Sequence, residues 1–236
     1  MITSRDNETL KLVRKLLGAR KHREDTGLFA AEGEDLIDAA RVAGVEPVHL
    51  LVAGETVEQK LLAAVSTLPH AARSIGVYRA ADLPHEVRDL YLGLWQLVDP
   101  GNVGTLFRTA DAFGAGVAVS PECADPLAPK ALRASAGAIF RVPLVPWADL
   151  PERRIALVAH GGQPLAETDL TPPLAILLGA ERDGLPSELV TQCHKVTIAL
   201  PGDAESLNVA AAGAIALYEA SRPLARRASS SRIPRA

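Results

Sequence analysis

Apolar positions along this chain fall into two regimes that meet near residue 90. Between Thr9 and Leu17, the residues Leu10, Val13, Leu16 and Leu17 share one side of a helical wheel and the basic residues lie mostly on the other. The same reading predicts helices over 33–42 and 57–65 and short buried strands over 48–52 and 75–78. Together these make a small α/β unit that ends near Pro84. From Tyr91 onward the apolar residues come in continuous runs: 92–98, 117–119, 140–145, 155–159, 174–178 and 196–200. Such runs are too unbroken for half-exposed strands, and helices fit between several of them, over 105–113, 129–138, 186–193 and 206–221. Buried strands joined by helices predict a mostly parallel sheet covered on both faces.

A chain of 236 residues that is 48% hydrophobic can bury a sizeable core, as one large α/β domain or two small ones. No apolar run approaches the roughly 20 residues that span a bilayer, and the first residues carry no apolar signal-peptide core. A soluble, cytoplasmic protein with no membrane segment is expected. Cys123 and Cys193 lack Cys-x-x-Cys spacing and have no His or Cys cluster beside them, so they read as small buried residues, and no metal is expected.

Net charge, −3 overall, is unevenly spread. Residues 1–23 carry Arg5, Lys11, Arg14, Lys15, Arg20, Lys21 and Arg23 against two acids, and residues 222–236 carry five arginines and no acid. Two readings fit basic ends on an acidic body: peripheral contacts to the phosphates of a nucleic acid, or a solvated helix face and a frayed tail. The serine run 229–231 and Pro234 among arginines predict disorder over 223–236.

Three strand-to-loop turns are unusually polar, at 99–108, 179–186 and 201–208. In an open α/β sheet, ligands bind where such loops leave the carboxyl ends of parallel strands. The first turn is glycine-rich and opens a helix, which suits either a phosphate cradle or a plain turn with an N-cap. It lacks the third glycine of Gly-x-Gly-x-x-Gly and the Gly-Lys-Ser/Thr of a P-loop, which disfavours a nicotinamide dehydrogenase. Arg108, read as one turn into that helix, opposes the macrodipole and so implies an anion or carboxylate nearby. In the third turn, Ser206 fits a helix N-cap, whereas Asn208 falls inside the expected helix as a poor former with a free amide.

Taken together, 99–114 (Asp-Pro-Gly-Asn-Val-Gly-Thr-Leu-Phe-Arg-Thr-Ala-Asp-Ala-Phe-Gly), 177–186 (Leu-Leu-Gly-Ala-Glu-Arg-Asp-Gly-Leu-Pro) and 198–209 (Ile-Ala-Leu-Pro-Gly-Asp-Ala-Glu-Ser-Leu-Asn-Val) resemble a family's three ordered motifs. The family is that of the SpoU (TrmH-type) RNA ribose 2′-O-methyltransferases of the SPOUT superfamily. The stretch 125–143, with Lys130 and Arg133, is similar to the segment between the first two motifs. Ser4 to Lys11, the basic run to Arg23, and Leu28 to Gly33 are similar to an L30e-like RNA-binding domain.

The resemblance implies an L30e-like domain over 1–88, a SPOUT domain with a carboxyl-terminal trefoil knot over 89–222, and a homodimer. It implies S-adenosylmethionine as cofactor and an RNA ribose as methyl acceptor, with large-subunit (23S) ribosomal RNA favoured over transfer RNA. By motif, Asn102, Arg108, Glu181, Ser206 and Asn208 form the catalytic set, and Leu178, Gly179, Ile198, Leu200, Leu207 and Asn208 hold the cofactor. Arg5, Lys11, Arg14, Lys15, Arg20, Lys21, Arg23, Lys130 and Arg133 are the expected RNA contacts. The family proposes its motif arginine as the base or its organiser, yet a guanidinium is always protonated. Arg108 is therefore expected to be essential and to face a phosphate. Ala199 stands where the family usually places proline, which bears on loop rigidity. Base methylation of transfer RNA and a non-catalytic RNA-binding role are the rival readings. Glu205 is left without a role.

Overall fold

In the computed structural model, residues 1–230 are described, with 223–230 described by backbone alone. Asn7 starts α1 (Glu8–Gly18) by accepting the backbone N–H groups of Thr9 and Leu10 on its side chain. Then follow α2 (Arg20–Thr26), β1 (Leu28–Glu32), α3 (Glu34–Val42), β2 (His49–Val52), α4 (Gln59–Ala63) and β3 (Ser74–Arg79). The strands form an antiparallel sheet in the order β1-β3-β2. The apolar pattern missed β1, whose Ala30 and Ala31 are poor strand formers and whose last four residues are all buried.

The two faces of this small sheet have different partners. Ala30, Ile75 and Val77 pack with Leu10, Val13, Leu16 and Leu62 of α1 and α4. Phe29, Ala31 and Tyr78 point the other way, into the core of the rest of the chain. There the rings of Phe29, Tyr78 and Phe140 meet with centroids 5.1–6.0 Å apart. A Cβ placed on Gly137 would lie 2.3 Å from the Cβ of Ala39 on α3, so only glycine permits that approach.

The rest of the chain comprises β4 (Leu90–Leu94), α5 (Pro100–Phe113), β5 (Gly116–Val119), α6 (Pro129–Ser135), β6 (Leu144–Val145), β7 (Arg154–Leu157), β8 (Gln163–Pro164), β9 (Leu174–Leu178), α7 (Ser187–Val190), β10 (His194–Thr197) and α8 (Val209–Ser230). Its seven strands form one sheet, β6-β5-β4-β9-β7-β10-β8, in which every pairing is parallel. Leu90, Leu92 and Leu94 pack into the core that holds α5, α6 and α8. Tyr91 and Leu177 face the other side, under Leu150, Trp147 and Leu189. The expected sheet with two covered faces is thus present.

Several boundaries differ from the pattern for local reasons. Strand β4 ends at Leu94, and Trp95 to Val98 form a loop. Ala136 (φ +48°) and Gly137 (φ +81°) stop α6 early, a 3₁₀ turn follows over Ala138–Phe140, and the strand expected at 140–145 is reduced to Leu144–Val145. Asp99 caps α5, accepting the Gly101 N–H at 3.0 Å, so the helix begins at Pro100. Arg108 therefore sits in the third turn, where the dipole argument made for it no longer applies. Helix α8 begins at Val209 and continues to Ser230, past residue 222; residues 231–236 of the expected disordered tail lie outside the described residues. No helix among the described residues is long and apolar enough to cross a membrane.

Candidate active site

Three strands that lie side by side, β9, β7 and β10, deliver their carboxyl ends to one cleft of about 730 Å³. Its walls are the loops after them: 157–160, 178–185, and 198–208 running into α8. This is the position that parallel-sheet topology reserves for a ligand. Leu178, Gly179, Glu181, Ile198, Leu200, Ser206, Leu207 and Asn208 all line it, so two of the three motifs converge as expected. Glu205, left without a role, is also in the wall.

Backbone packing shapes the cleft floor. After Gly179 the chain turns back on itself, with Ala180 and Gly184 exchanging backbone hydrogen bonds of 2.9 and 3.1 Å. A Cβ on Gly179 would fall 2.2 Å from the Gly184 carbonyl carbon and 2.3 Å from the Leu185 nitrogen. The turn can close over residue 179 only because it is glycine. The cleft thereby presents main-chain groups and aliphatic side chains on its floor, with the charged Glu181, Arg182, Asp183 and Glu205 also in its walls.

At the mouth, a chain of amides links three elements. Asn208, not Ser206, caps α8: its Oδ1 accepts the N–H groups of Ala210 and Ala211 at 2.9 and 3.3 Å. This corrects both readings of that turn, because Asn208 lies just outside the helix. With Oδ1 committed to the cap, Nδ2 donates to Asn102 Oδ1 at 3.2 Å. Asn102 in turn donates from Nδ2 to Glu181 Oε1 at 2.9 Å. One residue from each motif is therefore tied to the next, with the carboxylate at the end. Asp99 steadies the start of α5: Lys130 Nζ lies 2.6 Å from its Oδ1. That ammonium, followed by the Gly101 N–H, holds the Asp99 carboxyl below its ordinary pKa.

Arg108 is not part of this group. It is exposed, outside the cleft, and makes no ion pair among the described residues. Six residues along a helix from Asn102 place it about 120° around the axis and about 9 Å along it.

The expected RNA contacts separate into two kinds. Arg5, Arg14, Lys15 and Lys21 are exposed, and Lys11 pairs with Glu8 at 2.9 Å on the surface. Arg23 corrects the reading: it is 6% exposed and pairs with Asp125 at 2.6 Å, joining α2 to the loop after β5. Arg20, although exposed, donates to the Cys123 carbonyl at 2.8 Å in the same loop. Arg133 reaches toward buried Glu32 at 3.8 Å. The loop after β7, with Ala159 and His160, was missed as a cleft wall; the Gly161-Gly162 pair behind an apolar strand was its signal. Cys123 is buried, and the half-buried Cys193 thiol is pushed up by burial. Among the described residues no group of three His, Cys, Asp or Glu is placed to hold a metal ion.

Comparison with known proteins bears directly on this geometry. Residues 89–218 match the model of the SpoU rRNA Methylase family, which spans the cleft and all three motifs. The chain belongs to that family. Residues 7–81 match the MRM3-like substrate binding domain. The 23S rRNA (uridine(2479)-2′-O)-methyltransferase of Streptomyces viridochromogenes is 32% identical, over 94% of this chain and 91% of its own. The 23S rRNA (guanosine(2553)-2′-O)-methyltransferase RlmP of Bacillus subtilis (strain 168) is 29% identical, over 92% of this chain and 97% of its own. Among solved structures, the AdoMet-bound rRNA methyltransferase from Sinorhizobium meliloti superposes with a TM-score of 0.82 at 29% identity, covering 94% of this chain and 97% of that one.

Proposed function

We propose that this SpoU-family protein transfers a methyl group from S-adenosylmethionine to a ribose 2′-hydroxyl of large-subunit ribosomal RNA in the cytoplasm. The observation that carries the reading is the Asn208–Asn102–Glu181 chain at the mouth of a cleft built from backbone and aliphatic groups. The cleft fits the cofactor: Gly179 and its turn leave main-chain groups open to an adenosine, and Leu178, Ile198, Leu200 and Leu207 supply apolar walls. When bound, S-adenosylmethionine supplies an electrophilic methyl on a sulfonium.

The chain's own residues handle the acceptor. The α8 cap fixes the direction of both amides, so Glu181 is held at the mouth with its Oε2 free of side-chain partners among the described residues. That oxygen is available to a ribose hydroxyl, and Ser206 adds a second polar group at the same wall. Arg108, permanently cationic, serves a phosphate and lowers the repulsion between RNA and the acidic body of the chain.

Arg108 lies away from its own cleft, which supports placement near a subunit boundary in a homodimer. So do the exposed Ile215 and Tyr218 of α8, the latter edge-on to Phe113 at 6.3 Å. The reading includes a carboxyl-terminal trefoil knot; the tight backbone crossings at Gly162 and Gly179 support it. Residues 1–88 act as the RNA-binding domain, with Arg5, Lys11, Arg14, Lys15 and Lys21 facing phosphates, and 89–222 as the catalytic one. The two 23S relatives, at similar identity, name different target nucleotides, so mapping must find the site in this case.

Purified protein is expected to move tritium from labelled S-adenosylmethionine to ribosomal RNA, in an alkali-stable 2′-O-methyl nucleotide. Arg108→Ala should cut transfer at least 100-fold and leave the thermal midpoint unchanged. No label in any bulk RNA, together with no cofactor binding by calorimetry, defeats the reading.

A further inference from the structure

The chain has two tryptophans, Trp95 and Trp147, and the fold brings them together. Their rings sit edge to face, with centroids 5.4 Å apart and planes at 65°. Both are half-buried, and neither indole N–H donates to a protein acceptor among the described residues. Trp95 is the first residue beyond β4, and its backbone N–H donates to the Leu178 carbonyl at 2.8 Å, next to Gly179 of the cleft floor. Neither tryptophan lines the cleft itself. Trp95 therefore starts a loop beside the cleft floor, at the carboxyl edge of the sheet and seven residues before Asn102, and Trp147 packs against it over the Tyr91 and Leu177 face.

Gln96, the next residue, holds a left-handed backbone at φ +52°, which costs a side-chain-bearing residue energy. Its N–H is held by Ser120 Oγ at 2.9 Å and its amide by the Glu122 carboxylate. The Leu97 N–H meets Cys123 Sγ at 3.3 Å, and the Ala124 N–H meets the Leu97 carbonyl at 2.7 Å. This loop is fixed by the one after β5, so Trp95 is presented on a rigid support. Rigid, partly exposed aromatic planes without their own polar partners are suited to stacking a flat heterocycle.

We propose that Trp95 and Trp147 form a stacking site for an unpaired nucleobase of the RNA, next to the nucleotide being methylated. This rests on the methyltransferase reading above. An adenine of the cofactor is not the occupant, because the cleft excludes both rings. A duplex is not either, because its bases are already stacked on one another. Ribose methylation leaves the base unmodified, so a base-stacking site sets which nucleotide context is accepted without touching the reacting atoms.

Excited at the red edge of the absorption band, where the three tyrosines absorb little, the protein emits from this pair, which makes tryptophan fluorescence a direct probe. A mixed-sequence single-stranded oligoribonucleotide should quench it, and a duplex of equal length, bound equally by filter retention, should not. Trp95→Leu should weaken single-strand binding about tenfold or more, Trp95→Phe should recover most of it, and both should keep the native thermal midpoint. Retention of single-stranded RNA with unmoved emission, or full affinity in Trp95→Leu, overturns the stacking site while methyl transfer by the natural chain still stands. Emission moved by S-adenosylmethionine alone, and no further by RNA, also overturns it. Failure to retain any RNA overturns the stacking site, and the tritium-transfer assay then decides the methyltransferase reading separately.

Discussion

Asn208 Nδ2 donates to Asn102 Oδ1 across 3.2 Å, joining residues 106 positions apart in the sequence. One amide performs two tasks here, because its oxygen caps α8 and its nitrogen reaches α5. Substitution with aspartate separates them. Asn208→Asp keeps the cap acceptor, and Asn102 must then turn its amide toward residue 208 and lose Glu181. The thermal midpoint should hold while kcat/KM for methyl transfer falls about 10- to 100-fold. Asn208→Ala should lose the same activity and also about 1 kcal/mol of stability. Full activity in the aspartate variant would remove the amide chain from the mechanism.

Gly179→Ala tests the cleft floor. The added methyl meets the backbone of Gly184 and Leu185, so the turn must shift, at a cost of about 1–3 kcal/mol. Calorimetry should show S-adenosylmethionine affinity falling about tenfold or more, with an unchanged far-ultraviolet circular dichroism spectrum. An unaltered dissociation constant would place the adenosine elsewhere.

Tyr78 is fully buried between the sheets, and its hydroxyl has no partner among the described residues. Tyr78→Phe should stabilise the chain by about 1 kcal/mol or more, read from urea unfolding. Burial, followed by the Glu46 carboxylate, pushes the hydroxyl from 10.0 up to about 12. Ionisation is thus harder in the folded state than in the unfolded one. The stability this represents is intact below pH 10 and is lost between pH 10 and 12, as the unfolded chain ionises first; the loss amounts to about 2–3 kcal/mol. The phenylalanine variant should lack that part of the alkaline decline.

Arg23 was grouped with the RNA contacts and instead holds two parts of the chain together. Arg23→Ala leaves the largely buried Asp125 without its cation, at about 2–4 kcal/mol, and Arg23→Met with Asp125→Leu should regain most of it. The double variant should keep the salt dependence of RNA binding, whereas Arg14→Ala or Lys15→Ala should each lower the log–log slope by about one. A lower slope in the double variant would return Arg23 to the RNA surface.

The cleft wall could be traced along the sequence because the motifs keep their residues in local runs. Leu178, Gly179, Ile198, Leu200 and Leu207, which the resemblance implies as cofactor contacts, all line one cleft. What escaped depends on the identity of distant partners. Whether Asn208 caps or continues a helix depends on where α8 starts, and periodicity places helix ends poorly. Arg23 cannot be told from Arg14 along the chain, because Asp125 lies 102 residues away. The loop at Ala159 and His160 enters the cleft only because β7 is laid between β9 and β10.

The rings of Phe29, Tyr78 and Phe140 and the contact between Ala39 and Gly137 leave no seam at which the polypeptide could be cut into two self-sufficient pieces. A fragment ending at residue 88 would expose an aromatic face, and one beginning at 89 would expose its mate. The molecule should therefore melt in a single cooperative transition. A module borrowed from a relative would function only if it brought along the residues that meet Phe140, Gly137 and Asp125.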